Sequence, residues 1–270
     1  MNDDAKYLFD LMGYIVIEDA LTPEEVARCN DAIDHRIDQL KSSPSYSGGS
    51  KALAGTSTRQ DLGGMLSWER PWCEPFRELL VHPSISPYFN VILGKGYRLD
   101  HGPGLIAMNE GCEGGTLHHG GGEPPNFSLA YFFKDGRIYT GLTVVEFMLA
   151  DEGPGDGGLA VIPGSHKANF HCPQSMRRGE QYERYVVDVN AKAGDAVIFT
   201  EALTHGTLPW TAAHERRLLR YLYSPTSHLH TYNQEWEKIE LSDLERALVG
   251  PPSHPGADIG TLLNESEKNP

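Results

Sequence analysis

Two histidines that lie far apart in the chain are the first residues with a clear capacity for chemistry. His118 lies in the stretch Thr-Leu-His-His-Gly-Gly-Gly (116–122), and His205 lies in the stretch Ile-Phe-Thr-Glu-Ala-Leu-Thr-His-Gly-Thr (198–207). Each follows a short apolar run, so each is expected at the end of a β-strand. If the fold brings the two strand ends together, two imidazoles can hold one metal ion.

An arginine follows the second histidine on the next expected strand. Arg217 belongs to the run Arg-Arg-Leu-Leu-Arg-Tyr (216–221), and its planar guanidinium can bind a carboxylate with two parallel hydrogen bonds. Arg216 is the alternative, since a shift of one residue along a strand reverses the facing. Two histidines, an open coordination sphere and an arginine-bound 2-oxo acid are the parts of a non-haem Fe(II) oxygenase.

The elements that must position these residues are short strands. From about residue 96, brief apolar runs alternate with Gly, Pro and Asp, which predicts an antiparallel sandwich or barrel. Upstream, Thr22 and Pro23 predict the start of a helix, and a second helix is expected over 83–93. The Ser- and Gly-rich stretch 42–64 is expected to be a loop. We expect a single domain over 1–270, with a helical part (about 1–95), a barrel (about 96–225) and a C-terminal surface segment (226–270).

Composition limits the partners. The 270 residues carry a formal net charge of −14, which argues against a nucleic-acid polymer or an anionic membrane surface. No apolar stretch is long enough for a membrane span, and the N-terminus lacks signal-peptide character. We therefore expect a cytoplasmic protein with four free cysteines. A small-molecule substrate, possibly anionic, remains compatible with the arginine cluster at 176–185; the sequence does not indicate the oligomeric state.

Three motifs together resemble a known family. They are Gly-Tyr-Ile-Val-Ile-Glu-Asp-Ala-Leu-Thr-Pro-Glu-Glu-Val (13–26), Gly-Asp-Gly-Gly-Leu-Ala-Val-Ile-Pro-Gly-Ser-His-Lys (155–167) and the segment 194–225 that contains His205 and the arginines. In order and spacing they resemble the phytanoyl-CoA dioxygenase family. The resemblance implies a mainly β, double-stranded β-helix fold (jelly-roll, cupin-like) with N-terminal helices packed on the barrel. It also implies Fe(II), 2-oxoglutarate and O2 as cofactors and co-substrate, and oxidation of an unactivated C–H bond.

The resemblance assigns roles by position. His118 matches the first iron ligand, with His119 as the alternative, and His205 matches the distal ligand. Arg217 matches the residue that holds the far carboxylate of 2-oxoglutarate, and Thr207 matches a hydroxyl residue that assists it. Asn109 is expected to line the same pocket.

One position departs from the family pattern. Where the family has a metal-binding carboxylate, this chain has Gly120. In the related aliphatic halogenases a small residue here leaves room for chloride on the iron, so halogenation is the leading hypothesis. Alternatively Glu146, or Glu123, supplies the missing carboxylate and the protein is a hydroxylase. Two further alternatives are a metal-free binding protein on the same fold and a cupin-type enzyme that uses its metal without 2-oxoglutarate.

Overall fold

A computed structural model describes residues 1–119, 129–181, 183–225 and 234–249. The α-helices are α1 (Asp3–Met12), α2 (Pro23–Asp34), α3 (Glu74–Glu78), α4 (Ser86–Ile92), α5 (Gln174–Arg177) and α6 (Asp243–Val249). Short 3-10 helices occupy Ile37–Gln39, Met65–Ser67, Leu79–Val81, Ser165–Lys167, Glu183–Tyr185 and Gln234–Lys238. The strands are β1 (Tyr14–Ile17), β2 (Lys41–Ser42), β3 (Gln60–Gly63), β4 (Arg98–Met108), β5 (Gly115–His118), β6 (Tyr131–Lys134), β7 (Arg137–Thr140), β8 (Thr143–Met148), β9 (Gly158–Val161), β10 (Val187–Asp188), β11 (Ala196–Thr200), β12 (His205–Leu208) and β13 (Arg216–Ser224).

The predicted helix signals are present in α2. The Thr22 side chain accepts from the Glu25 amide while the Glu25 carboxylate accepts from the Thr22 amide, and Pro23 begins the helix. The second predicted helix is the shorter α4, and the stretch 42–64 contains part of β2 and all of β3 rather than loop alone.

The strands form two facing sheets. The larger sheet has the order β1-β11-β8-β13-β4-β3-β2, and the smaller has the order β10-β9-β12-β5. β6 and β7 make a separate hairpin. This is the predicted jelly-roll architecture, although within the described ranges the sheets stay separate and do not close into a continuous barrel.

Strand β8 of the larger sheet divides its side chains between two cores. One core, between the sheets, contains Val144 and Met148 of β8. The other, between the larger sheet and the helices, contains Val145 and Phe147 of the same strand. This alternation follows from the two-residue period of a strand, and it tells which side chains point between the sheets.

The C-terminal part differs from the surface segment that the sequence suggests. Trp236, Leu248 and Val249 are buried in the core on the helical side, so residues 234–249 complete that core. Residues 226–233 and 250–270 lie outside the described part. All four cysteines are free, as expected. Over the described residues, no helix is both long and apolar enough to cross a bilayer.

The Pro-Gly-Ser-His motif ties α1 to the sheets. The His166 Nε2 atom lies 3.0 Å from the Asp10 carbonyl oxygen, so this ring nitrogen donates to the end of α1. Gly13 ends the helix with φ +83°, and a Cβ atom there would lie 2.5 Å from His166 Nδ1. Only glycine provides both the left-handed backbone and the space.

Gly13→Ala is expected to lower the free energy of unfolding by roughly 2–4 kcal/mol, because strain and overpacking add. Gly94→Ala is the matched control. Gly94 also follows a helix with φ +85°, but its Cβ would meet nothing within 4 Å. The control should lose only about 1–2 kcal/mol. Urea unfolding of both variants measures the difference, and equal losses would show that His166 does not press on Gly13.

Candidate metal centre

The fold brings the two predicted histidines together. β12 pairs with β5 so that His205 lies directly opposite His118, and their ring centroids are 4.3 Å apart. Residues opposite each other on antiparallel strands point to the same face. His205 is buried, with 5% of its surface exposed, whereas His118 is exposed. The pair therefore lies at a mouth of the space between the sheets.

Both rings are oriented by backbone carbonyls. His205 Nδ1 lies 2.8 Å from the Leu203 carbonyl oxygen, and His118 Nδ1 lies 3.1 Å from that of Thr116. A carbonyl only accepts, so each Nδ1 donates and each Nε2 keeps its lone pair free for a metal. Burial lowers the pKa of His205 to about 4 in spite of nearby Glu201, which keeps the ring neutral.

Glu201 is a candidate third ligand. One ligand atom from each of His118, Glu201 and His205 lies within 4.8 Å of the others, and Glu201 Oε1 is 3.9 Å from His205 Nε2. Two imidazoles and one carboxylate on one side of an ion are the facial set of non-haem Fe(II) enzymes. The donor atoms, their tautomers and their convergence fit a divalent metal.

The connection from β11 to β12 carries two of these three ligands. The Glu201 amide donates to the Leu142 carbonyl over 2.9 Å, and the Leu203 amide donates back to Thr200 over 2.9 Å. At the other end, the Thr204 amide donates to Ser165 Oγ over 2.8 Å. Ser165 belongs to the Pro-Gly-Ser-His motif, so that motif supports the ligand-bearing turn rather than contributing a ligand.

Of the other predicted carboxylate positions, the structure describes Glu146 alone. Gly120 and Glu123 lie outside the described residues. Glu146 points between the sheets, because its alternate neighbours Val144 and Met148 pack there, but it is not part of the three-ligand cluster. Burial raises the pKa of Glu146, and within the described part of the chain its Oε2 atom has no hydrogen-bond partner.

The predicted carboxylate anchor, Arg217, faces away from the centre. It donates to Asp34 over 2.7 Å and to Asn30 over 3.3 Å, both on α2, and it also pairs with Glu215. Strand alternation explains this placement, since Leu219, two residues on, lies in the core on the helical side. The expected role for Arg217 does not fit this position.

The alternative, Arg216, points between the sheets but is already paired. Its guanidinium makes two hydrogen bonds, of 2.7 and 3.1 Å, to the buried carboxylate of Glu152. Arg220 lies on the same face of β13. Within the described part of the chain its side chain makes no hydrogen bond and no ion pair, and it lies opposite Glu146 in the sheet.

Of the remaining predicted residues, one lies near the two histidines and the others lie or point away from them. Thr207 lies on the same face of β12 as His205, two residues further from the mouth. Asn109 is exposed in a turn after β4, at the end where Met108 pairs with Arg216, so it is remote from the histidines. His119 points away from His118 and lies 3.0 Å from His171.

Glu201 and Arg220 were not found from the sequence. Glu201 stands four residues before His205, a spacing that can bring two side chains together in a helical or tight turn. Arg220 shares the even-numbered face of its strand with Arg216 and with the buried residues Leu218 and Leu222. Both signals are visible in the sequence, but each requires knowing the local backbone.

Glu201→Gln is expected to weaken Co(II) binding by more than the roughly 10–100-fold that loss of a residue supporting a ligand costs. Glu146→Gln should leave Co(II) affinity within about threefold of the original value, since Glu146 is outside the ligand set (the allowance is the usual context factor). The visible d–d absorption of Co(II), titrated into each variant, measures this. Strong loss with Glu146→Gln and none with Glu201→Gln would exchange their roles.

Comparisons with known proteins agree with this geometry. The family model "Phytanoyl-CoA dioxygenase (PhyH)" matches residues 118–218, which contain all three members of the cluster. No curated protein matches the sequence significantly.

Solved structures share the fold. HygX from Streptomyces hygroscopicus, with nickel and 2-oxoglutarate bound, is 20% identical with a TM-score of 0.69, over 86% of this chain and 90% of HygX. SnoK, a non-heme alpha-ketoglutarate-dependent carbocyclase from nogalamycin biosynthesis, is 15% identical with a TM-score of 0.61, over 90% and 92% of the two chains. The epimerase SnoN from the same biosynthesis is 16% identical with a TM-score of 0.59, over 94% and 95%. The chain therefore has the fold of these proteins, and over residues 118–218 it matches the phytanoyl-CoA dioxygenase family, which confirms the resemblance over that range.

Proposed function

We propose that this protein is an Fe(II)- and 2-oxoglutarate-dependent enzyme that uses O2 to oxidise an unactivated C–H bond of a small molecule. The observation that carries the proposal is the convergence of His118, Glu201 and His205, with both Nε2 atoms free. When bound there, Fe(II) and 2-oxoglutarate supply the oxidising power from O2 that no protein side chain has.

The ligand set favours oxygenation over halogenation. Gly120 suggested an iron with a ligand missing, into which chloride enters. Glu201 offers a carboxylate from a different strand end, so the facial set is complete without residue 120. The hydroxylase alternative therefore stands with Glu201 in the role expected of Glu146 or Glu123, and chloride has no open position.

We place the far carboxylate of 2-oxoglutarate at Arg220. Arg216 and Arg217 are both committed to carboxylates of the protein, whereas Arg220 makes no such pair within the described ranges. Its depth supports this role. The ring of Phe199 on β11 lies 4.8 Å from that of His205, so Phe199 marks the level of the histidines. Two residues before it on the same strand, Val197 pairs with Glu146, the cross-strand partner of Arg220. Arg220 is thus one layer, about 7 Å, below the histidines.

Thr207 occupies the matching position on the smaller sheet. It lies two residues below His205 on the inward face of β12, so its hydroxyl can join Arg220 at the same carboxylate. The protein would then hold 2-oxoglutarate at both ends. The metal bound at the mouth would hold the 2-oxo acid end, and Arg220 and Thr207 would hold the far carboxylate below it.

A small-molecule substrate fits the open mouth beside His118. The neighbours point to the same class, since HygX has been solved with hygromycin B bound and SnoN with nogalamycin RO bound. The acidic composition argues against a nucleic-acid polymer as the substrate.

An anaerobic spectroscopic titration tests the reaction class. Fe(II) followed by 2-oxoglutarate should give a visible charge-transfer band that is unchanged by chloride, because Glu201 holds the position a halide needs. In Glu201→Gly the same addition of chloride should shift the band. A chloride shift in the unaltered protein would restore the halogenase hypothesis, and the absence of any band would contradict the use of 2-oxoglutarate.

Arg220→Gln is expected to weaken 2-oxoglutarate binding by roughly 10–100-fold, the loss of one charge-assisted interaction. Arg217→Gln is the matched control: it removes the same charge from the same strand on the opposite face, and should change this affinity by less than about threefold, the usual context factor. Calorimetric titration of the nickel-loaded proteins measures both. The reverse order of effects would return the anchor to Arg217.

A further inference from the structure

Glu146 is a buried acid that neither the metal set nor the fold requires. It has 4% of its surface exposed and lies on β8 among Val144 and Met148, in the core between the sheets. Its Oε2 atom is shielded from solvent and has no hydrogen-bond partner among the residues that the structure describes. Leaving a buried polar atom unpaired costs free energy, so such an atom beside an arginine without an ion-pair partner points to a partner that arrives with a ligand.

Arg220 is the cross-strand neighbour of Glu146, yet the two do not form an ion pair. Their Cα atoms are partners in the β13–β8 register. The other buried acid of this region, Glu152, does form a bidentate pair with its arginine, Arg216. Arg216 and Glu152 therefore form a closed ion pair, whereas the side chains of Arg220 and Glu146 are not bonded to each other.

The surroundings of Glu146 disfavour its ionised form and raise its pKa. Burial is the largest influence and raises its pKa, and the carboxylates of Glu152 and Glu201 raise it further. Arg216 and Arg220 act in the opposite direction without reversing the outcome. His205, which also lies at this end of the space between the sheets, stays neutral because burial lowers its pKa to about 4.

A ligand carboxylate at Arg220 would meet Glu146 directly. Two ionised carboxylates side by side repel each other, whereas a protonated carboxyl beside an ionised one donates a short, strong hydrogen bond. Only the neutral form of Glu146 lets an arginine and an acid of the protein bind the same carboxylate together.

We propose that Glu146 is a positioning residue that binds 2-oxoglutarate as a neutral carboxylic acid, donating a hydrogen bond to the carboxylate held by Arg220. This inference rests on the proposed function, and it adds a donor and a proton requirement to it. No bond is broken and the proton stays on Glu146.

The proton requirement has a definite sign. If the ligand binds only the protonated form, its apparent affinity is constant below the pKa of Glu146 in the free protein. Above that pKa the affinity falls, by up to tenfold for each pH unit, because Glu146 must first take up a proton. In Glu146→Gln the amide N–H replaces the O–H donor and does not titrate, so this part of the pH dependence should vanish.

The test is calorimetric titration of the nickel-loaded, full-length protein with 2-oxoglutarate from pH 6 to 9. The unaltered protein should bind more weakly as the pH rises, and Glu146→Gln should bind with nearly constant affinity. Glu146→Leu, which has no donor, should bind about tenfold more weakly than Glu146→Gln throughout. Glu215→Gln is the control, since it removes a carboxylate from Arg217, on the opposite face of β13, and should keep the pH dependence of the unaltered protein.

Heats measured in two buffers of different ionisation enthalpy give a second readout that needs no variant. Above the pKa of Glu146, the unaltered protein should take up close to one proton per 2-oxoglutarate bound. Identical pH profiles for the unaltered protein and Glu146→Gln would overturn the role of Glu146 while leaving the proposed function intact. Uniformly tighter binding by Glu146→Gln would also overturn it, by showing that Glu146 is ionised and competes for Arg220. No binding to the unaltered protein at any pH would instead contradict the proposed function.

Discussion

The connection between β11 and β12 is the constraint on which the rest of the centre depends. Within it the chain leaves the larger sheet after Thr200 and enters the smaller sheet at His205, and both ends of the crossing are fixed by backbone hydrogen bonds. Because the crossing is short, Glu201 and His205 cannot move independently. The pairing of β12 with β5 then adds His118 as a strand neighbour, so all three ligands are positioned by main-chain contacts rather than by side-chain packing alone.

Charge in the space between the sheets is arranged in two layers. At the far end, Arg216 and Glu152 neutralise each other in a buried bidentate pair. Four residues along β13, nearer the mouth, Arg220 and Glu146 remain separate. A buried ion pair stabilises little once desolvation is counted, but breaking one is costly. The closed pair therefore suits a structural base, and the open pair suits a site that must exchange its partner.

Much of the fold was predictable because it follows from local signals. The capping residues Thr22 and Glu25, the alternating strands after residue 96 and the family motifs gave the helix, the sheets and the pairing of His118 with His205. These signals act within one element or repeat across several.

The site residues that the structure places differently depend on which face of a strand a side chain occupies or on the conformation of a tight turn. Arg217 was preferred over Arg216 because it stands six residues before Tyr223, as the family pattern has it, but a strand reverses its facing at each residue. Asn109 was placed in the pocket although β4 carries it to the opposite end of the sheet. Glu201 was not singled out from the sequence, because its place beside the histidines exists only once the turn is folded.

If the metal-binding carboxylate comes from the β11–β12 connection, metal binding and substrate admission depend on different segments of the chain. With Glu201 as the proposed ligand, the segment that follows His118 does not have to supply a second one. The residues that would select the metal then include those of the hydrogen-bonded β11–β12 connection, and the residues that would admit substrate can vary in other segments. Such a separation allows one scaffold to acquire new substrates by changes that leave its redox machinery untouched.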